Sequence, residues 1–209
     1  MDADVTHLFA ELRVVPVVTV DRAEDAPRLG SALKAGGLAC AEVTFRTAAA
    51  EEALRRLAHD PEMLVGAGTV LRPEQVDRAR AAGARFVVSP GFSARVVQRC
   101  LELSLPVFPG VATPTEVQMA LDAGIEVMKF FPAEASGGAN TLRALGEPFP
   151  MVRFIPTGGV NPRNLASYLA LPSVLAVGGS WMVARDLLTS GDFEAITRLS
   201  RDAVELVKK

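Results

Sequence analysis

A repeated alternation constrains this chain more than any other feature. Eight short apolar runs, at 14–20, 38–45, 63–68, 85–89, 105–108, around Lys129, at 152–156 and at 174–177, alternate with segments that read as helices. Short, continuous apolar runs mark strands buried on both faces. Strands alternating with helices predict parallel βαβ units. Eight units in 209 residues predict an α/β fold, a single (β/α)8 TIM barrel over 1–209, with an extra N-terminal helix over 4–12. The competing architecture is an open doubly wound sheet, which carries a Gly-rich turn after its first strand. Here that turn reads Asp21-Arg22-Ala23-Glu24, without glycine.

Helix punctuation fits the same plan. Thr113-Pro114-Thr115-Glu116 is a strong start, with a threonine cap, proline at the first helical position and glutamate at the third. Asp21, Thr47, Ser93, Asn161 and Asp192 are expected to open further helices. Ala35-Gly36, Ala82-Gly83 and Ala123-Gly124 suit helix stops that feed the next strand.

Composition narrows the function. A formal charge of −2 gives no electrostatic case for nucleic acid or an anionic membrane. No run reaches the roughly 18 apolar residues of a membrane span. Met1-Asp2-Ala3-Asp4 lacks the basic start of a signal peptide. The two cysteines, Cys40 and Cys100, show no disulfide framework. The expectation is a cytoplasmic protein. His7 and His59 lie far apart, and no cluster has metal-ligand spacing, so neither a metal nor another cofactor is expected.

One run carries chemistry. Lys129 sits among Val127, Met128, Phe130 and Phe131, with Pro132 ending the run. Lysine is almost never buried without a partner or a task. Burial disfavours the charged form of an amine, and a neutral lysine forms Schiff bases with carbonyls. The plainer reading is a lysine that snorkels from a strand end or pairs with a buried carboxylate.

In a barrel the chemistry lies at the carboxyl ends of the strands. Strand two ends Glu42-Val43-Thr44-Phe45-Arg46-Thr47, and alternation puts Glu42, Thr44 and Arg46 on one face. These groups either pair with each other, as a Glu42–Arg46 salt bridge, or serve a ligand, as a base beside a carboxylate anchor. Gly66-Ala67-Gly68-Thr69 and Ser89-Pro90-Gly91 are turn-like ends. Thr157-Gly158-Gly159 and Gly178-Gly179-Ser180 end strands seven and eight. Glycine pairs there suit either tight turns or a phosphate site.

Taken in order, these motifs resemble the class I 2-keto-3-deoxy-6-phosphogluconate (KDPG) and 4-hydroxy-2-oxoglutarate (KHG) aldolases. The resemblance runs through nearly the whole chain. It is carried by Val15-Pro16-Val17, the Glu42–Thr47 run, Gly66–Thr69, Ser89–Gly91, Pro109–Glu116, Lys129-Phe130-Phe131-Pro132-Ala133-Glu134, Pro156–Gly159 and Gly178–Trp181. It implies Lys129 as the Schiff-base lysine and Glu42 as the acid/base residue. It implies Arg46 and Thr69 on the pyruvate carboxylate, and Pro90 and Phe131 lining the pyruvyl pocket. It further implies Thr157, Gly158, Gly159, Gly179 and Ser180 at the phosphate. The substrate class implied is a phosphorylated 2-oxo acid, the assembly a homotrimer, and the setting the Entner–Doudoroff pathway.

Rival readings stay open at this stage. One is a phosphate-binding barrel isomerase or decarboxylase in which Lys129 forms no covalent bond. Another is a barrel that only binds a phosphorylated metabolite. A third is the galactonate-specific aldolase relative, whose substrate differs only in configuration. Cys40 shares parity with Glu42 and reads as a small core residue rather than a nucleophile.

Overall fold

The computed structural model describes residues 3–208, so Met1, Asp2 and Lys209 lie outside the described residues. Helix α1 (Ala3–Leu12) precedes β1 (Val14–Val18) and α2 (Ala26–Ala35). Then follow β2 (Cys40–Thr44), α3 (Ala50–Ala58), β3 (Leu64–Gly68), α4 (Pro73–Ala81), β4 (Phe86–Val88) and α5 (Ala94–Glu102). The second half has β5 (Val107–Phe108), β6 (Gly110–Val111), α6 (Pro114–Asp122), β7 (Val127–Phe130), α7 (Gly138–Gly146) and β8 (Arg153–Pro156). It ends with α8 (Leu165–Leu169), β9 (Val177–Gly179), α9 (Arg185–Ser190) and α10 (Phe193–Val207).

All strand pairings are parallel. They form a six-stranded sheet, β5-β4-β3-β2-β1-β9, and a three-stranded sheet, β6-β7-β8. Two parallel bridges, Phe154 to Val174 and Thr157 to Gly178, connect the sheets on one side. On the other side Pro109 divides the expected strand at 105–108 from Gly110, so that strand appears as two short ones. Proline has no N–H to give a ladder, but its carbonyl still accepts from the Lys129 N–H at 2.9 Å. The strand expected at 174–177 is shifted toward Gly179, because Val177, Gly178 and Gly179 are the residues paired with β1.

Two apolar layers flank the strands. Val14, Val18, Val43, Val65, Val87, Met128 and Phe130 point outward against the helices. Val15, Cys40, Leu64, Phe86, Val88, Phe108, Val127 and Ile155 point inward. The alternation is the strand period of two. Val5 and Phe9 of α1 join the inward set. The Phe9 ring meets Phe86 edge-on at 5.1 Å and Phe108 at 5.4 Å. The extra helix therefore plugs the inside of the curled sheets. Aromatic pairs of this kind add about 0.5–1.5 kcal/mol beyond their buried area.

The caps at Ser93, Thr113 and Asp192 form as their sequence predicts; Thr113 and Glu116 make a reciprocal capping box. Two others do not. Asp21 caps nothing and binds Arg185 instead. Thr47 donates its hydroxyl to Val20 O at 2.5 Å, and α3 starts later, at Ala50. Asn161 opens the turn that leads into α8: its Oδ1 accepts from Arg163 N and its carbonyl from Leu165 N, both at 3.0 Å, while the helix proper starts at Leu165. No helix among the described residues is long and apolar enough to cross a membrane.

Candidate active site

Glu42 lies in the middle of β2, opposite Gly66 of β3. Lys129 lies in β7, between Gly110 of β6 and Ile155 of β8. Their side chains meet across the interior: Lys129 Nζ donates to Glu42 Oε1 at 3.1 Å. The two side chains are only 7% and 5% exposed. Removing two charges from water is costly unless they pair, and here each is the other's partner. Glu42 thus pairs with Lys129, and not with Arg46 as a strand-local salt bridge would require.

The pair stands between two spaces. Beneath it, Phe9, Phe86, Phe108, Val88 and Ile155 close around a cavity of about 10 Å³, room for at most one water. Above it opens a cavity of about 620 Å³ whose lining includes Arg46, Phe131, Thr157, Gly158, Gly159 and Ser180. Thr157 borders both. The Phe131 ring centroid is 5.2 Å from Lys129 Nζ.

Arg46, two residues beyond Thr44, donates from Nε to Thr69 Oγ1 at 3.1 Å. Thr69 holds φ at +58°. That left-handed backbone is strained for a β-branched residue, and it turns the hydroxyl toward Arg46. Pro90 is half-buried and does not line the cavity. Its carbonyl stands 2.1 Å from where a β-carbon on Gly110 would lie, so β6 approaches it only as glycine.

The glycine loops are built closely. Gly158 and Gly159 have φ of +98° and +87°, a region that favours glycine. A β-carbon on Gly159 would stand 2.6 Å from Glu134 Cγ. The loop carbonyls are tied down: Ala133 N–H donates to Thr157 O and Glu134 N–H to Gly158 O. Asn161 and Asn164 donate their amides to Gly159 O at 2.9 and 3.1 Å. Tyr168 donates a hydrogen bond to the Glu134 carboxylate. Gly179 is buried beneath the Trp181 ring, where any β-carbon would collide, while Gly178, Ser180 and Trp181 face the cavity.

The structure thus gathers Arg46, Phe131, Thr157, Gly158, Gly159 and Ser180 around one cavity, with Thr69 joined through Arg46 and the Lys129–Glu42 pair next to it, across Thr157 and beside the Phe131 ring. Gly179 backs it beneath the Trp181 ring, and Pro90 stands against Gly110, beside Lys129 in the sheet, without lining the cavity. Val17, Thr19, Trp181 and Arg185 also line it and were missed in sequence. Parity along the first strand was available for Val17 and Thr19. Arg185 is held by both carboxylate oxygens of Asp21 at 2.6 Å, and this guanidinium draws the Asp21 carboxyl below its usual range. Cys40 is fully buried, and desolvation pushes its thiol up to about 12, which suits a core residue and not a nucleophile. Among the described residues no three His, Cys, Asp or Glu side chains gather as a metal site.

A buried amine within hydrogen-bond reach of a carboxylate, next to a cavity lined by arginine, threonine and glycine loops, provides a nucleophile with its proton acceptor in place. Known proteins are similar to this chain over most of its length. The 2-dehydro-3-deoxy-phosphogluconate aldolase of Treponema pallidum (strain Nichols) is 52% identical over 197 residues, 94% of each chain. The KHG/KDPG aldolase of Escherichia coli (strain K12) is 47% identical, covering 93% of this chain and 92% of that one. In three dimensions, the KDPG aldolase of Legionella pneumophila, with pyruvate captured at low pH as a covalent carbinolamine intermediate, is similar at a TM-score of 0.92. It is 42% identical, with 95% of this chain and 97% of that chain covered. Residues 5–199 match the model of the KDPG and KHG aldolases, and the chain belongs to that family.

Proposed function

We propose that this protein is a class I aldolase that cleaves 2-dehydro-3-deoxy-6-phosphogluconate to pyruvate and glyceraldehyde 3-phosphate. It also cleaves 4-hydroxy-2-oxoglutarate to pyruvate and glyoxylate, less efficiently. The observation that carries this reading is the 3.1 Å contact between the buried Lys129 amine and Glu42. The relatives' names and the Legionella carbinolamine support it.

The steps follow from the placement. The Lys129 ammonium passes a proton to Glu42, and the freed amine attacks the C2 ketone. Glu42 returns that proton to the C2 oxygen, giving the carbinolamine, which loses water to form a protonated imine. Glu42, again a carboxylate, takes the proton of the C4 hydroxyl. The C3–C4 bond breaks, its electrons go to the imine nitrogen, and the aldehyde leaves. Glu42 then protonates C3 of the enamine, and hydrolysis of the imine releases pyruvate. Arg46, oriented by Thr69, holds the carboxylate and fixes the ketone over Lys129, a positioning role. Phe131 and Pro90 shape the pyruvyl end. Thr157, Gly158, Gly159, Gly179 and Ser180 form the phosphate end, by contact or by backing the loop. No step requires a cofactor or metal.

The fold that belongs to this function is one closed (β/α)8 barrel over 1–209. The Thr157–Gly178 bridge and the chain continuity through Pro109 support closure. Homotrimeric assembly, a cytoplasmic setting and a place in the Entner–Doudoroff pathway complete the proposal and rest on the family resemblance. Light scattering tests the trimer.

The deciding experiment is trapping. Incubation with pyruvate and borohydride, followed by peptide mass spectrometry, is expected to place a reduced pyruvyl group on Lys129. An unmodified Lys129 would overturn the covalent mechanism and favour a non-covalent isomerase or decarboxylase.

A further inference from the structure

Strand β1 sends Val15, Val17 and Thr19 toward the interior, and Val14, Val18 and Val20 toward the helices. Val17 and Thr19 thereby line the large cavity. Thr19 is half-buried, and its Oγ1 lies 2.9 Å from Thr44 Oγ1. Thr44 is buried, and its Oγ1 lies 3.1 Å from Val18 O.

These distances set the direction of the chain. A carbonyl oxygen only accepts, and a hydroxyl has one proton to give. The Thr44 proton therefore goes to Val18 O, and the Thr19 proton goes to Thr44 Oγ1. Thr19 then meets the cavity with oxygen lone pairs alone. At Thr19 the cavity wall therefore offers an acceptor. A carboxylate or phosphate is itself an acceptor and does not match that position. A neutral substrate hydroxyl does.

We propose that Thr19 is a specificity residue that accepts a hydrogen bond from a hydroxyl on the aldehyde half of the substrate. The inference rests on the aldolase reading and deepens it. That half carries two hydroxyls. The one on C4 gives its proton to Glu42 as the bond breaks. The one on C5 lies between C4 and the phosphate, and Thr19 lines the cavity at the end of β1, between Thr44 of β2 and the Gly178–Ser180 end of β9. Thr19 thus recognises the C5 hydroxyl, the 2-hydroxyl of the released glyceraldehyde 3-phosphate. A site built to pair a substrate hydroxyl discriminates against an analogue that lacks it.

The test compares two aldehydes in the addition direction with pyruvate: D-glyceraldehyde 3-phosphate, and 3-oxopropyl phosphate, which lacks the 2-hydroxyl. Thr19→Val keeps the shape and removes the acceptor. It is expected to lower kcat/KM for glyceraldehyde 3-phosphate about tenfold, the effect of one lost hydrogen bond that leaves a buried donor unmet. It should leave 3-oxopropyl phosphate unchanged, and Thr19→Ser should restore the preference. Equal losses on both aldehydes, or no loss on either, would overturn the assignment. If the unaltered protein turns over neither aldehyde, the aldolase reading itself fails. Calorimetric binding of glycerol 3-phosphate against 1,3-propanediol phosphate then decides Thr19. A Thr19→Val loss confined to glycerol 3-phosphate supports it; equal losses, or no binding of either, overturn it.

Discussion

A β-carbon on Gly68 would stand 2.3 Å from Glu42 Oε1. The carboxylate that faces Lys129 is therefore seated against bare backbone on the neighbouring strand. Gly68→Ala forces Glu42 off its contact. Displacement of a reacting group by about 1 Å costs on the order of 10²-fold in rate, and overpacking costs about 1–3 kcal/mol. The expected result is a kcat lowered about 10²-fold in a protein that still folds, with a reduced Tm. Unchanged kinetics would show that Glu42 has room to spare.

Lys129 and Glu42 are expected to trade stability for chemistry. Glu42→Gln keeps the shape and removes the base, so kcat/KM should fall about 10²–10⁴-fold, the usual worth of general acid–base catalysis. Removing one member of a buried pair destabilises by about 3–5 kcal/mol, whereas replacing both with apolar groups is often neutral or stabilising by about 1–4 kcal/mol. Lys129→Met alone should therefore lower the urea midpoint. Lys129→Met combined with Glu42→Leu should recover it without recovering activity. A double variant no more stable than the single one would mean that the pair serves the fold as well.

Arg46 lines the cavity and is held by Thr69, and the fork of its guanidinium is the feature to remove. Arg46→Lys keeps the charge but loses bidentate geometry. Hydrogen bonds to charged groups contribute roughly 1.5–3 kcal/mol, so KM for the 2-oxo acid should rise about tenfold or more, with a smaller effect on kcat. Thr69→Ala should move KM the same way, because it frees the Arg46 Nε contact of 3.1 Å. A change in kcat alone would place Arg46 in the chemistry rather than in anchoring.

The sequence carried the site further than it carried the frame. Parity alone put Glu42, Thr44 and Arg46 on one face, and the apolar surroundings of Lys129 marked it as buried. What parity could not supply was the partner across the interior. Glu42 and Lys129 are 87 residues apart, and only the curl of the sheets joins them. The same limit hid Arg185, whose partner Asp21 is 164 residues away. Asp21 read as a helix cap because local hydrogen bonding was the only criterion available. Pro109 split a strand without disturbing its neighbour, since its carbonyl serves Lys129 as any residue's would. In the sequence Trp181 is only the end of a glycine motif. Its ring covers Gly179, a long-sided contact that neither composition nor period encodes.

The buried thiols predict the response to alkali. Desolvation pushes both Cys40 and Cys100 up to about 12 from an ordinary 9.0. The Tyr168 phenol also rises, through burial and the adjacent Glu134 carboxylate. Each group is neutral when protonated, and each ionises more readily in the unfolded chain. Their contribution is fully present below about pH 9 and is lost as pH rises toward 12. The urea midpoint should hold up to pH 9 and fall steadily above it. Native protein at pH 7 should react with a thiol reagent only as fast as it opens, and both cysteines should react at once in urea. Rapid native labelling of Cys40 would contradict its burial among Val15, Leu64 and Phe86. It would also require that the floor beneath Lys129 opens to solvent.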